Sequence, residues 1–203
     1  MSLANEMKKV FGTIFVIVIL VNLYMLFTSR GELAIRPQTG EVTDPILLPV
    51  IEQFADAIDA NQSEPKLRME LGMTYESATL NKLAERTYKQ YTVQFPERII
   101  GWYRMAIVQQ RMGQLEKAIQ TLIEGAKYAP PKMDAPHWQL GLWLIDAGRI
   151  EEAKKHIATA SSIKPNSLQV QIANGRIALA EGKPALAIEI LNNDRLIASV
   201  PDG

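Results

Sequence analysis

The search for chemistry begins with the two histidines, His137 and His156, the only imidazoles in the chain. Each stands alone in sequence, outside any His-Glu-x-x-His or Glu-x-x-His pattern that would build a metal site on one helix. His156 falls mid-helix beside Lys154 and Lys155 and reads as a surface residue. Glu151 and Glu152 form an adjacent carboxylate pair, a combination that general acid–base chemistry can use. Their place in the first turn of a helix gives them another role, complementing the positive end of the macrodipole. Met7, Met25, Met69, Met73, Met105, Met112 and Met133 form no coordinating cluster. The chain has no cysteine, which removes disulfides, thiolate metal sites, iron–sulfur clusters and cysteine nucleophiles. The chemistry-bearing residues therefore point away from an enzyme, and no cofactor or metal is expected.

The chain has 203 residues, with 22 Lys and Arg against 22 Asp and Glu. That length suits one domain plus an anchor. The balanced charge produces no global field to attract nucleic acid, and the basic residues are not interleaved with an aromatic stripe.

Residues 10–27 read VFGTIFVIVILVNLYMLF, without a charge and with Asn22 as the one strongly polar side chain. At a rise of about 1.5 Å per residue they extend about 27 Å, close to the hydrocarbon thickness of a bilayer. No small-x-small cleavage site follows, so the segment is expected to remain as a signal anchor. Lys8 and Lys9 before it outweigh Arg30 and Arg36 after it, the latter diluted by Glu32. The bias places the N-terminus in the cytoplasm and the rest outside, at a bacterial inner membrane with the domain in the periplasm. Asn22 is suited to bonding with a partner helix in lipid. Residues 28–44 read as a linker broken by Gly31, Pro37 and Gly40. Asp44-Pro45 is an N-cap signal, and Ile46, Leu47, Val50, Ile51, Phe54, Ala55 and Ile58 recur at helical spacing to about Ala60.

Beyond this helix the sequence repeats. With Pro65 as position 1 of a 34-residue unit, Leu71, Gly72 and Tyr75 fall at positions 7, 8 and 11, and Ala84, Tyr88 and Pro96 at positions 20, 24 and 32. From Ile99, Trp102 takes position 4, Ala106 position 8, Ala118 position 20, Leu122 position 24 and Pro130 position 32, with Gly113 at the inter-helix turn. One inserted residue near Pro131 resets the frame. From Asp134 follow Leu140, Gly141, Gly148, Ala153, Ile157, Ala160 and Pro165. From Leu168 follow Gly175, Gly182 and Ala187. This pattern resembles the tetratricopeptide-repeat (TPR) family over residues 65 to about 200. Small residues at positions 8 and 20 let two helices approach, bulky ones at 4, 7, 11 and 24 fill the groove, glycine makes the turn and proline ends the second helix. Departures are Arg68 at position 4, Asn81 where an aromatic is usual, and Asp194 at position 27. The expected fold is all-α: an N-terminal transmembrane helix (1–27), the linker, and a right-handed α-solenoid over 45–203. The solenoid comprises a half-repeat at 45–62 and repeats at about 65–98, 99–133, 134–167 and 168–201.

The resemblance implies where partners bind. In TPR stacks the first helix of each hairpin lines a concave groove. Positions 5 and 9 give Met69, Met73, Tyr103, Ile107, Trp138, Leu142, Ile172 and Arg176, and position 12 gives Glu76, Gln110, Ile145 and Leu179. Packing between repeats is the default for Ile107, Leu142 and Ile172, and Tyr103, Trp138 and Met69 are the expected partner contacts. The Lys and Asn pair with which chaperone-type TPR domains grip a C-terminal carboxylate is missing from positions 5 and 9. Trp143, at position 10, is larger than the residue usual there, and packed and exposed placements both remain open for it. No long polar helix follows the fourth hairpin, so Leu191, Leu196 and Ile197 are expected to form an apolar flank met by a partner or a second copy, the alternative being a fold-back of Arg195 to Val200 as a minimal cap. The implied function is a membrane-anchored scaffold that assists assembly of a membrane or periplasmic complex. Architectural alternatives are an accessory protein of c-type cytochrome maturation presenting an apocytochrome, and a structural subunit of a larger membrane complex.

Overall fold

The computed structural model describes residues 32–192. The expected anchor at 10–27 and the flank residues Leu196 and Ile197 lie outside the described residues. Every regular element among the described residues is an α-helix. In chain order they are α1 (Leu47–Ala60), α2 (Pro65–Ser77), α3 (Asn81–Gln94), α4 (Ile99–Arg111), α5 (Leu115–Ala126), α6 (Ala135–Asp146), α7 (Ile150–Ile163), α8 (Leu168–Ala180) and α9 (Pro184–Leu191). None of them is long and apolar enough to cross a membrane.

The chain divides into two compact units, meeting after Arg68 inside α2. In the first unit, Asp44 starts α1 as its sequence foretells. Its Oδ1 accepts from the backbone N–H of Ile46 at 2.8 Å and of Leu47 at 3.1 Å, satisfying donors that the first turn leaves orphaned. Ile51, Ala55 and Ile58 recur at helical spacing and form the buried stripe of α1. Glu52, Asp56 and Asp59 recur at the same spacing on another stripe and converge on one cation. Arg36 reaches Glu52 at 3.2 Å, Asp56 at 2.7 Å and Asp59 at 2.6 Å. The Ala34 N–H donates to Asp59 at 2.7 Å. The segment after residue 31 has no helix, yet three carboxylates tie it to α1. Arg68, which takes the place of a position-4 aromatic, is buried and donates to the Glu32 carbonyl at 2.7 Å.

This arrangement is acid-sensitive. Burial alone would raise the Asp59 carboxyl, but the hydrogen bonds from Ala34 and Arg36 and the charges of Arg36 and Arg68 outweigh it and hold its pKa below 3.8. A depressed carboxylate stabilises the folded state above its unfolded pKa, and that contribution disappears as pH falls through the folded value. Acidification below about pH 4 is therefore expected to release residues 32–38 from α1. Hydrogen exchange at Ala34 reports it, and Asp59→Ala, which removes the acceptor, should remove protection there even at neutral pH.

In the second unit, helices α3 to α9 pack as consecutive hairpins, α4 on α5, α6 on α7 and α8 on α9, with α3 joined to α4, α5 to α6 and α7 to α8. The tip of each hairpin is one recurring turn. The N–H of Leu80, Gln114, Arg149 and Lys183 donates to the carbonyl five residues back, in Tyr75, Gln109, Leu144 and Ala178. The preceding residue, in each case left-handed, donates three residues back, which completes a Schellman turn. Gly113, Gly148 and Gly182 hold φ of 75°, 73° and 72° there, but the first hairpin uses Thr79 at φ 58°. A β-branched residue in that region is strained, by roughly 1–2 kcal/mol. Thr79→Gly is expected to raise stability by about 1 kcal/mol, read as a higher urea midpoint at unchanged m-value.

The core follows the repeat register. Ala106, Ala118, Ile119, Leu122, Leu140, Trp143, Leu144 and Ala153 form one buried cluster, and Ile157, Ala160, Val170, Ala173 and Ile177 another. Trp143 is a core residue, 5% exposed. Where position 8 is glycine, the facing helix leaves no room for a Cβ. One built on Gly72 would strike the ring of Tyr88, and one on Gly141 would strike Ile157.

Candidate functional site

The first helices α2, α4, α6 and α8 carry every groove residue expected from the sequence, and those from Met69 onward lie in the second unit. Polar ties run from each of these helices to the next. Glu76 of α2 accepts from Arg104 at 3.0 Å and from Arg111 at 2.9 Å, both on α4. The Tyr103 hydroxyl on α4 donates to Gln139 of α6 at 3.2 Å. Asp146 of α6 pairs with Arg176 of α8, and α6 packs directly against α8. The second helices are tied in the same manner. Lys117 of α5 pairs with Glu85 of α3 at 2.5 Å, and Arg149, the N-cap of α7, with Glu116 of α5 at 3.0 Å. Lys154 of α7 pairs with Glu181, the C-cap of α8.

Glu76 is the hub of the first-helix face. It is 9% exposed and also accepts the Tyr88 hydroxyl at 2.8 Å. Burial and then the Glu76 carboxylate push the Tyr88 phenol far above its ordinary value, so Tyr88 stays a neutral donor. One carboxylate thus serves two guanidinium groups and a phenol.

The expected groove residues are graded in depth. Met73 and Ile172 are exposed, as are Ile100 and Leu179 on the same four helices. Met69 and Arg176 are half-buried. Tyr103 and Ile107 are half-buried and lean on the cluster around Leu140. Trp138 and Leu142 are also half-buried and lean on the cluster around Ile157. Both aromatics chosen from the sequence therefore brace the core while keeping part of their surface open. At the C-terminal hairpin, α9 exposes Leu186, Ile188 and Leu191. Leu191 also sits over α8, its Cγ 2.7 Å from where a Cβ on Gly175 would lie.

The structure brings together two residues that the sequence left apart. His137, in the first turn of α6, and His156, on α7, place their Nδ1 atoms 3.4 Å apart. Both are half-buried, so the surface reading of His156 is corrected. Burial lowers both imidazole pKa values, and His156 is lowered further by its neighbour. The repeat register carried the signal, because the two histidines occupy positions 4 and 23 of one unit. Glu151 and Glu152 are engaged by Lys154 at 2.7 Å and by Arg149 at 2.7 Å. Among the described residues, no group of three or more His, Cys, Asp or Glu side chains is placed to hold a metal ion.

No protein-family model matches the sequence, and no curated protein matches it. Solved structures do. The chain is similar to MamA with a TM-score of 0.65 and 18% identity, over 82% of this chain and 100% of that one. It is similar to MamA 41-end from Desulfovibrio magneticus RS-1 with a TM-score of 0.66 and 14% identity, over 78% and 89% of the two chains. It is also similar to YrrB, described as a TPR protein with an unusual peptide-binding site, with a TM-score of 0.62 and 18% identity over 77% and 79%. The repeat register, the four matching turns and these likenesses agree: the chain has the tetratricopeptide-repeat fold.

Proposed function

We propose that the chain is a membrane-anchored adaptor whose first-helix face binds a segment of a partner protein. The observation that carries this reading is the exposure of Met73, Ile100, Ile172 and Leu179 on helices that polar ties hold in fixed succession. Apolar side chains on a pre-organised surface favour association, because little ordering opposes binding. The peptide-binding site named for YrrB supports the same use of the fold. Residues 10–27, apolar and uncharged, supply the anchor in this reading. In the same reading the lysines before them favour an orientation with the repeats outside the cytoplasm, which in a Gram-negative bacterium is the periplasm. Anchoring confines the partner to the membrane face and raises its effective concentration, which suits assistance in assembling a membrane or periplasmic complex. The exposed face of α9 adds a second place for contact with a partner or another copy.

The test uses paired variants in native membranes with site-specific crosslinkers on α4 and α6. Met73→Lys with Ile172→Lys should abolish crosslinking to the partner and leave the melting temperature within a few degrees of the wild type. Tyr103→Ala should weaken binding by on the order of 2 kcal/mol or more if it anchors the partner. Trp138→Ala should lower both binding and stability, since that ring also braces the core. Unchanged crosslinking in the Met73/Ile172 double variant would reject this face as the binding surface.

A further inference from the structure

The histidine pair at the α6/α7 hairpin lies apart from the adaptor reading and has chemistry of its own. We propose that His137 and His156 together bind one borderline divalent transition-metal ion through their Nδ1 atoms, with zinc as the natural probe.

The geometry is specific. The two Nδ1 atoms are 3.4 Å apart, while the ring centroids are 5.7 Å apart and the planes incline by 26°. The nitrogens therefore sit on the facing edges of the rings, with their lone-pair directions turned toward each other. Zinc–imidazole bonds are about 2.0–2.1 Å long, and two of them meeting at the tetrahedral angle hold their nitrogens about 3.4 Å apart. The protein already sets that separation. A modest turn of each ring about χ2 brings both lone pairs to one side of the N···N line, where an ion can sit. Imidazole nitrogen is a ligand of choice for this class of metal.

The protonation state suits binding. Burial lowers both imidazole pKa values, which disfavours the doubly protonated ring that cannot ligate a metal. Without metal, one ring carries its proton on Nδ1 and donates to the other. On binding, that ring moves its proton from Nδ1 to Nε2, and the neutral pair releases none to solvent. Two protein ligands leave two tetrahedral positions for water or for a donor from a partner. Glu152, whose charge acts on His156, is gripped by Arg149 at 2.8 Å and 2.7 Å and is not counted as a ligand. The backbone frame is firm, because α6 and α7 pack closely where Gly141 meets Ile157.

Titration calorimetry of zinc into the full chain in detergent, near neutral pH and in a non-coordinating buffer, should show one ion per chain. His137→Gln and His156→Gln should each weaken binding at least tenfold, with melting in EDTA unchanged. Cobalt(II) should give a tetrahedral visible band in the wild type and none in either variant. Where a variant fails to fold, the wild type decides: zinc should protect both histidines from diethylpyrocarbonate. Absence of saturable binding at submillimolar zinc would overturn the proposal. So would equal affinity in the double variant, or modification of both histidines at an unchanged rate in zinc.

Discussion

Gly141→Leu is expected to destabilise the third hairpin strongly, to the point of unfolding where the domain's own stability lies at the low end of the usual range. The new Cβ alone would strike Cδ1 and Cγ1 of Ile157 and lie 3.6 Å from the Ala153 carbonyl oxygen. Ile157 cannot withdraw far, because it is buried against Ala160, Val170, Ala173 and Ile177. Three further carbons of leucine must then displace α7 from α6. Overpacking typically costs 1–3 kcal/mol and more where backbone must move, while the gain in helix propensity over glycine is under about 1 kcal/mol. The net loss is about 3 kcal/mol, a large part of the 5–15 kcal/mol that holds a typical domain. Gly141→Ala should cost less, because it adds the Cβ alone and none of leucine's three further carbons. Hydrogen exchange over Leu140–Leu144 and a urea midpoint distinguish the two variants. A Gly141→Leu protein within about 0.5 kcal/mol of the wild type would show that the helices are not in close contact there.

Glu76→Ala should produce the second large loss, again about 3 kcal/mol. Removing the carboxylate strands three donors at once. The buried Tyr88 hydroxyl loses its acceptor, at a cost of about 1–3 kcal/mol. Arg104 and Arg111 are 33% and 49% exposed, so water takes over part of their solvation and each contributes less than a fully buried ion would. Glu76→Gln keeps one acceptor oxygen and should cost about half as much. Tyr88→Phe removes only the hydroxyl and should cost about 1 kcal/mol. In a double-mutant cycle Glu76→Ala and Tyr88→Phe should couple by at least about 0.5 kcal/mol. Strict additivity would mean that the hydroxyl finds its partner elsewhere.

The repeats were legible because each of their marker residues obeys a local rule. Gly113, Gly148 and Gly182 announce left-handed turns, Ala118 and Ala153 announce close helices, and Pro96, Pro130 and Pro165 follow helix ends at Gln94, Ala126 and Ile163. Thr79 takes the same turn against its own propensity, so the first hairpin was recognised from its other residues. Glu76 stood among the position-12 residues, but its role was hidden. Its partners are 28 and 35 residues away, and no other repeat places those residue types at those positions. The histidine pair was missed for a related reason: a motif search looks along one helix, and these rings meet between two. Arg36 looked like part of a linker because its carboxylates lie on α1, reached only once that helix has formed. Trp143 could not be placed from position 10 alone, since the cluster that receives it includes the small residues Ala106 and Ala118 of the preceding hairpin and Ala153 of its own. Register put Met73 on the groove side, whereas Ile172, for which packing between repeats is the default reading, is exposed. The partial burial of Tyr103 and Trp138 depends on how neighbouring repeats close over them.

The ties between successive first helices join only consecutive repeats: Glu76 with Arg104 and Arg111, Tyr103 with Gln139, Asp146 with Arg176. Each joint uses a different chemistry, an anionic hub, a neutral phenol–amide bond and a single ion pair. A stack with distinct joints is keyed, as a lock barrel is keyed by unequal pins. Placing the third hairpin directly after the first would set Gln139 and Asp146 where Arg104 and Arg111 stand and leave the buried Glu76 carboxylate without a guanidinium, and placing the fourth after the second would set Arg111 where Asp146 stands, against Arg176. The order of the units is therefore written into their contacts, although the repeated backbone would accept any permutation.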